Sequence, residues 1–156
     1  MKVGRFLVLI GLGILVLAGC TTTGEQQTMA KDKPMMAQEK SLYERLGGRE
    51  AITAVVDDFV ARVAANDRIN GFFAGANIPR LKMQLVNQIC EASGGPCKYT
   101  GQDMKTVHDG MGIANAHFDA LVKDLVATLD KFSVPVQEKN ELLALLGPMR
   151  KDIVEK

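Results

Sequence analysis

A regular spacing of apolar residues constrains the fold of this chain more than any other feature. Between residues 49 and 65 the apolar side chains recur every three or four positions, so they share one face of an α-helix. They are Ile52, Val55, Val56, Phe59, Val60 and Val63. β-branched and aromatic residues do not form the short alternating runs typical of sandwiches and barrels. The sequence therefore predicts an all-α fold.

Residues that begin and end helices set the limits of three further segments. Asn77 comes before Ile78 and Pro79, which predicts a capped helix with proline in its first turn. The pair of glycines at 94–95 should end it. A short helical segment is expected over 103–108 and a long helix over 115–132.

The last helix should begin near Pro135 and kink at residues 147–148, because Pro148 removes a backbone donor and clashes with the preceding turn. We expect its inner side to carry Leu142, Leu145, Met149 and Ile153. About four major helices follow from these patterns. With 156 residues, of which 47% are hydrophobic and 24% charged, the chain has the balance of one packed domain.

Residues 1–19 have the features of an export signal. Lys2 and Arg5 precede an apolar run over 6–17, which is shorter than the roughly 20 residues that a membrane span needs. Leu17, Ala18 and Gly19 lead to Cys20 in a pattern that resembles the bacterial lipobox. We therefore predict a lipoprotein signal peptide over 1–19 with a lipidated Cys20. An ordinary signal peptide that happens to contain a cysteine is the alternative.

Residues 20–40 are polar and show no apolar periodicity, so they should form a flexible tether to the domain at 41–156. Thr21 follows Cys20 where an aspartate would favour the inner membrane, by resemblance to enterobacterial sorting rules. We expect a lipid-anchored protein that faces the periplasm, at the outer membrane. Loss of residues 1–19 turns the formal net charge of +1 slightly negative, so the mature surface has no electrostatic reason to bind nucleic acid.

The two remaining cysteines, Cys90 and Cys97, flank a turn that contains Gly94, Gly95 and Pro96. An exported protein meets an oxidising compartment, where an even number of cysteines favours a disulfide. Such a bridge would contribute ~2 kcal/mol to stability by the loop-entropy model. Two thiols that remain reduced are the alternative.

His108 is one of only two histidines, and its neutral imidazole can supply a nitrogen lone pair to a metal such as haem iron. On composition alone, a hydrogen-bonded or surface histidine is the more common case. Four stretches change this interpretation by their order and spacing. They are SLYERLGG at 41–48, VVDDFVARVAANDRINGFF at 55–73, GGPCKYTGQDMKTVHDGMGI at 94–113 and HFDALVKDLVATLD at 117–130. Together they resemble a group 1 truncated haemoglobin over nearly all of residues 41–155.

The resemblance implies a two-over-two helical globin sandwich around a non-covalent haem b, with His108 as the proximal iron ligand. No Cys-x-x-Cys-His motif is present, so covalent attachment of the c type is not expected. Carried over by position, the expected haem contacts are Phe59, Phe73, Leu81, Leu85, Val107, Ile113 and Phe118. Candidates for propionate contacts, or else solvated surface groups, are Arg80, Lys82 and Tyr99. His117 is a second possible ligand, although a structural role at a helix end is favoured.

The chain departs from its family where bound gas would be held. Many members carry a tyrosine at the position of Val60 and a glutamine at that of Leu85, and these groups donate hydrogen bonds to dioxygen. Leu81 is also apolar. Gln84 is turned by about 100° from the expected glutamine, and Lys82 would lose its hydration on bending inward. We expect faster dioxygen loss and easier autoxidation than in relatives that carry the tyrosine.

Three functions follow as hypotheses. The first is a haem globin that binds dioxygen, nitric oxide or carbon monoxide and supports nitric oxide detoxification, with an external electron donor. The second is a redox or sensing module in which Lys82 or Met83 supplies a sixth iron ligand. The third is a structural lipoprotein that keeps the globin fold without haem. Enzymatic activity is left open by the sequence.

Overall fold

The computed structural model describes residues 39–156, which form α-helices and two short 3-10 turns without any strand in this range. The all-α prediction is therefore confirmed. The predicted signal peptide, Cys20 and residues 21–38 of the tether lie outside the described residues. The helices are α1 (Leu42–Arg45), α2 (Gly48–Ala64), α3 (Ile78–Ala92), α4 (Met104–His108), α5 (Asn115–Lys131), α6 (Val136–Leu146) and α7 (Arg150–Ile153), with 3-10 turns at Asn70–Phe73 and Gly147–Met149.

A side-chain cap begins α3 where the sequence predicts it. The Asn77 side chain accepts a hydrogen bond from the backbone N–H of Arg80 at 3.0 Å, and this satisfies one of the unpaired donors in the first turn of α3. Pro148 lies in the 3-10 turn that separates α6 from α7, which confirms the predicted kink. The sequence analysis missed α1, where Ser41 and Glu44 form a reciprocal capping box.

The predicted inner face of the last helix is correct at Leu142, which is 1% exposed, and wrong at Leu145, which is 40% exposed. Leu143 and Leu146 pack against the core beside Leu142. Successive residues on a helix are turned by about 100°, so Leu145 is rotated that far from Leu146 and away from the core.

The main core lies where α2 packs against α3 and α5. Val56 and Leu129 are both 1% exposed, and each such side chain contributes roughly 1.5–3 kcal/mol through burial. A second, smaller cluster consists of Ile113 in the loop after α4, Phe118 of α5 and Ile153 of α7. In the described part of the chain, no helix combines the length and apolarity that a bilayer crossing requires.

A disulfide joins Cys90 and Cys97 across a Cα–Cα distance of 5.7 Å, as the sequence predicts. It ties the C-terminal turn of α3 to the loop that leads toward α4. Gly94 turns the chain between them with a φ of +84°, a left-handed conformation that side chains rarely adopt. The bridge therefore fixes the distance between the end of α3 and the segment that leads to His108.

Candidate functional site

Two adjoining cavities of about 490 and 360 Å³ are bounded by α3, α4 and α5. Both volumes lie in the range of small-molecule sites, roughly 300–1,000 Å³. They share a mostly apolar set of residues, and we call the combined space the central pocket. The shared residues are Phe73, Ala76, Leu81, Val107, His108, Phe118, Leu121 and Ile153.

His108 is the last residue of α4, and it lines both parts of the central pocket. Its Nδ1 atom lies 2.7 Å from the carbonyl oxygen of Met104, one turn earlier in the same helix. Because a carbonyl can only accept, Nδ1 must carry the hydrogen in this contact, and Nε2 keeps its lone pair. An imidazole held in this way through one nitrogen is oriented for a metal at the other.

The helix that carries His108 is anchored at its start by Asp103. One carboxylate oxygen accepts the backbone N–H of Thr106 at 2.9 Å, and the other accepts the Thr106 hydroxyl at 2.6 Å. These hydrogen bonds, the hydroxyl one first, hold the pKa of Asp103 below its usual value. The cap thus fixes a five-residue helix that would be marginal alone.

Helix α3 forms a second wall of the central pocket. Its lining residues recur every three or four positions, and they are Arg80, Leu81, Gln84, Leu85, Gln88 and Ile89. Leu81 and Leu85 were predicted to line the pocket, and the structure places both there. The sequence analysis expected Gln84 to be turned away from the pocket. This expectation is wrong, because Gln84 lines the larger cavity. The lining face of the helix is wide enough to include residues on both sides of the 100° step between Gln84 and Leu85.

Aromatic side chains complete the apolar walls. Phe59 of α2, Phe73 of the first 3-10 turn and Phe118 of α5 all line the larger cavity, as the sequence analysis expects. Ile113 lines the smaller cavity. Val107 also lines both cavities, and it is 44% exposed. Val60, by contrast, is 7% exposed in the main core and does not line either cavity.

The three polar candidates have different positions. Arg80 lines the larger cavity and is exposed, so its guanidinium lies at the pocket rim. Tyr99 also lines this cavity, and its hydroxyl donates to the carbonyl oxygen of Gln102 at 2.7 Å. Burial and the nearby Asp103 charge raise the pKa of Tyr99. Lys82 does not line the pocket, and its ammonium pairs with the Asp57 carboxylate at 2.9 Å.

His117 has a structural contact that agrees with the favoured interpretation of the sequence. Its Nδ1 accepts the backbone N–H of Ala114 at 3.1 Å and so caps the start of α5. Its ring packs against Phe72 with a centroid distance of 4.9 Å. The side chain also lines the smaller cavity.

Sequence reasoning missed several lining residues. The apolar ones were recognised only as helix stripes, because periodicity identifies a buried face without telling whether a side chain or a cavity lies opposite. Met149 was expected on the inner side of the last helix, but this pattern gave no indication that a cavity lies opposite it. The missed residues include Leu121, Val122, Leu125, Met104, Met149, Gln84 and Gln88.

Comparison with known proteins identifies the family. A family model described as bacterial-like globin matches residues 41–155. The group 1 truncated hemoglobin GlbN of Mycolicibacterium paratuberculosis is 40% identical over 117 residues, which cover 75% of this chain and 86% of the relative. The chain belongs to the group 1 truncated haemoglobins. A second relative of this globin, from Tetrahymena pyriformis, is 34% identical over 121 residues, 78% of this chain and 100% of the relative.

Solved structures confirm the two-over-two helical fold of this globin. The Fe(III) form of the truncated hemoglobin from Tetrahymena pyriformis matches with a TM-score of 0.72 at 34% identity, covering 75% of this chain and 100% of that one. A 2/2 hemoglobin from Synechococcus, solved in the cyanomet state with covalently attached heme, matches with a TM-score of 0.70 at 30% identity over 75% and 100% of the two chains.

Proposed function

We propose that this globin holds a non-covalent haem b in the central pocket, with His108 as the iron ligand, and reversibly binds a diatomic gas. The observation that carries the proposal is the hydrogen bond from His108 Nδ1 to the Met104 carbonyl. It leaves the Nε2 lone pair available within an apolar pocket, which is the donor that a globin iron requires.

The residues present fit haem in chemistry as well as in shape. Apolar and aromatic walls suit the porphyrin face, and the Arg80 guanidinium at the rim suits its carboxylates. Cys90 and Cys97, the cysteines of the described residues, are bonded to each other and so offer no thiol for covalent attachment. When bound, haem supplies the iron centre at which dioxygen, nitric oxide or carbon monoxide binds.

Dioxygen should be held less firmly than in tyrosine-bearing relatives. Val60 does not line the central pocket, and Leu81 and Leu85 present no donor. Bound dioxygen is partly negative and depends on hydrogen-bond donors, whereas carbon monoxide and nitric oxide depend on them less. Loss of one neutral hydrogen bond weakens binding by about 1 kcal/mol. This remains a prediction for dissociation and autoxidation rates.

The proposal extends to nitric oxide removal. Dioxygen, nitric oxide and one electron combine to give nitrate, so each turnover requires an electron from a partner reductase. It also extends to location, with Cys20 lipidated and the globin domain facing the periplasm from the outer membrane. Incorporation of labelled palmitate into the wild-type protein, and its loss in Cys20→Ala, would support the lipid anchor.

The redox or sensing alternative needs Lys82 or Met83 as a second iron ligand. Lys82 pairs with Asp57, and Met83 is 48% exposed. Neither side chain lines the central pocket. The contacts therefore favour a gas-binding position over internal ligation.

The test is titration of the protein with haemin, followed by spectra of the ferric, ferrous and carbon monoxide forms. We expect one haem per chain and a Soret band that shifts with carbon monoxide. His108→Ala should lose or strongly alter this band, and His117→Ala should keep it. No stoichiometric haem binding, or the reverse order of the two variants, would contradict the proposal.

A further inference from the structure

Gln84 has a buried polar atom that the protein leaves without a partner. Its side chain lines the larger cavity from the middle of α3. The amide nitrogen donates to the Thr100 hydroxyl at 3.2 Å, but Oε1 is buried with no hydrogen-bond partner among residues 39–156. Buried polar side-chain atoms are paired in the great majority of cases, so this atom requires an explanation.

Within the described range one other buried side-chain atom has no hydrogen bond, and its environment explains it. Oδ2 of Asp58 lies 3.7 Å from an Arg62 guanidinium nitrogen, so it takes part in an ion pair. Gln84 is uncharged and takes part in no ion pair. Its unpaired atom belongs to an uncharged amide at the wall of an apolar pocket.

Gln88, one turn later on the same face of α3, differs from Gln84 in its contacts. The amide nitrogen of Gln88 lies 3.5 Å from the sulfur atoms of both Met104 and Met149, so it already has weak acceptors. Leu81 and Leu85, the other neighbours on this face, carry no polar atoms. Among the described residues of α3 that line the pocket, Gln84 is therefore the one with a buried polar atom that lacks a hydrogen-bond partner.

An amide can offer either of its ends to the pocket. A half-turn about the last side-chain torsion exchanges the oxygen and the nitrogen, which are similar in size. The Thr100 hydroxyl can then donate to Oε1, since a hydroxyl both donates and accepts. In this orientation the amide NH₂ takes the buried position, where a partly negative ligand could accept its hydrogen.

We propose that Gln84 is the hydrogen-bond donor for dioxygen in this pocket and so determines its selectivity for dioxygen over carbon monoxide. Thr100 acts as the positioning residue that holds the other end of the amide. The inference rests on the proposed function, because it requires gas to bind in the central pocket. It supplies one donor where Val60 and Leu85 replace the two that many relatives carry.

The test compares Gln84→Leu with the matched control Asn87→Leu. Both remove an amide from α3, but Asn87 does not line the pocket. We expect Gln84→Leu to raise the dioxygen dissociation rate roughly five- to tenfold, the loss expected for one hydrogen bond. Carbon monoxide dissociation should change less than about twofold, because that ligand carries little charge. Asn87→Leu should leave both rates unchanged.

Two further measurements distinguish a donor from a merely structural residue. In the carbon monoxide complex, Gln84→Leu should shift the C–O infrared stretch to higher wavenumber, since a nearby N–H lowers it. The Tm of this complex should not fall, because leucine removes a buried atom that lacked a partner.

Unchanged dioxygen dissociation and an unchanged C–O stretch in Gln84→Leu would overturn the inference while the proposed function stands. A fall in Tm together with equal changes for both gases would also overturn it, since that pattern marks a packing role. Failure of the wild-type protein to bind haem would overturn the proposed function first, and this inference with it.

Discussion

Reduction of the Cys90–Cys97 disulfide should destabilise the wall of the central pocket that leads to His108. The bridge joins residues seven positions apart, and the sulfur of Cys90 lies in a side chain that is 0% exposed. Beyond it, the Tyr99 backbone N–H donates to the Glu91 carboxylate at 2.9 Å, and the Lys98 ammonium pairs with the same group at 3.1 Å. These two contacts, the Tyr99 one first, hold the pKa of Glu91 below its usual value.

The expected loss follows from the size of the closed loop. A bridge around about eight residues removes chain entropy from the unfolded state worth about 2.5 kcal/mol at 25 °C. The family match spans residues 41–155, a length for which this loss corresponds to a fall in Tm of about 10 °C.

The assay is thermal unfolding followed by circular dichroism, with and without a phosphine reductant. Cys90→Ala/Cys97→Ala serves as the control, because any effect of the reductant on other groups appears in the variant as well. The wild type should lose about 10 °C on reduction and the variant should lose nothing. An equal response of the two proteins, or a wild-type change below about 2 °C, would refute the reasoning.

Three more predictions concern the core and the loops. Leu129→Ala should lower the free energy of unfolding, measured in urea, by about 2–5 kcal/mol. Leu145→Ala, at an exposed position, should lower it by less than about 0.5 kcal/mol. Gly95→Ala should lower the Tm, because its new Cβ would lie 2.6 Å from a ring carbon of Tyr43; a Tm equal to that of wild type would contradict this close contact. Asp103 has a lowered pKa, so its contribution is complete above its unfolded value near 4 and is lost as the pH falls further. The urea midpoints of wild type and Asp103→Ala should therefore differ at pH 6, and the difference should shrink as the pH falls below about 4. A difference independent of pH would oppose this assignment.

The long helices could be predicted because two independent signals agree on each. The stripe of α2 and the Asn77 cap of α3 are local features, and burial of one face rewards the same residues that periodicity selects. Helix α1 was missed because four residues cannot show a period. The Ser41 and Glu44 capping box was the available signal.

The pocket was harder to predict than the helices around it. Resemblance to the family was enough to place His108 and the aromatic residues at the pocket. Gln84 was wrongly excluded, because the sequence analysis assumed that only one of two successive helix residues can face a cavity. The structure shows that the pocket face of α3 includes both Gln84 and Leu85. The ion pair between Lys82 and Asp57 could not be predicted either, because it depends on how α2 and α3 pack. Sequence spacing does not reveal that packing.

The central claim is that His108 binds the haem iron through Nε2, and ligand replacement tests it most directly. His108→Gly removes the imidazole, and added imidazole can then bind in its place. We expect the variant to lose the wild-type ferrous and carbon monoxide spectra and to regain them with millimolar imidazole. A variant with the wild-type spectra, or one that imidazole does not restore although haem is bound, would contradict the assignment of His108.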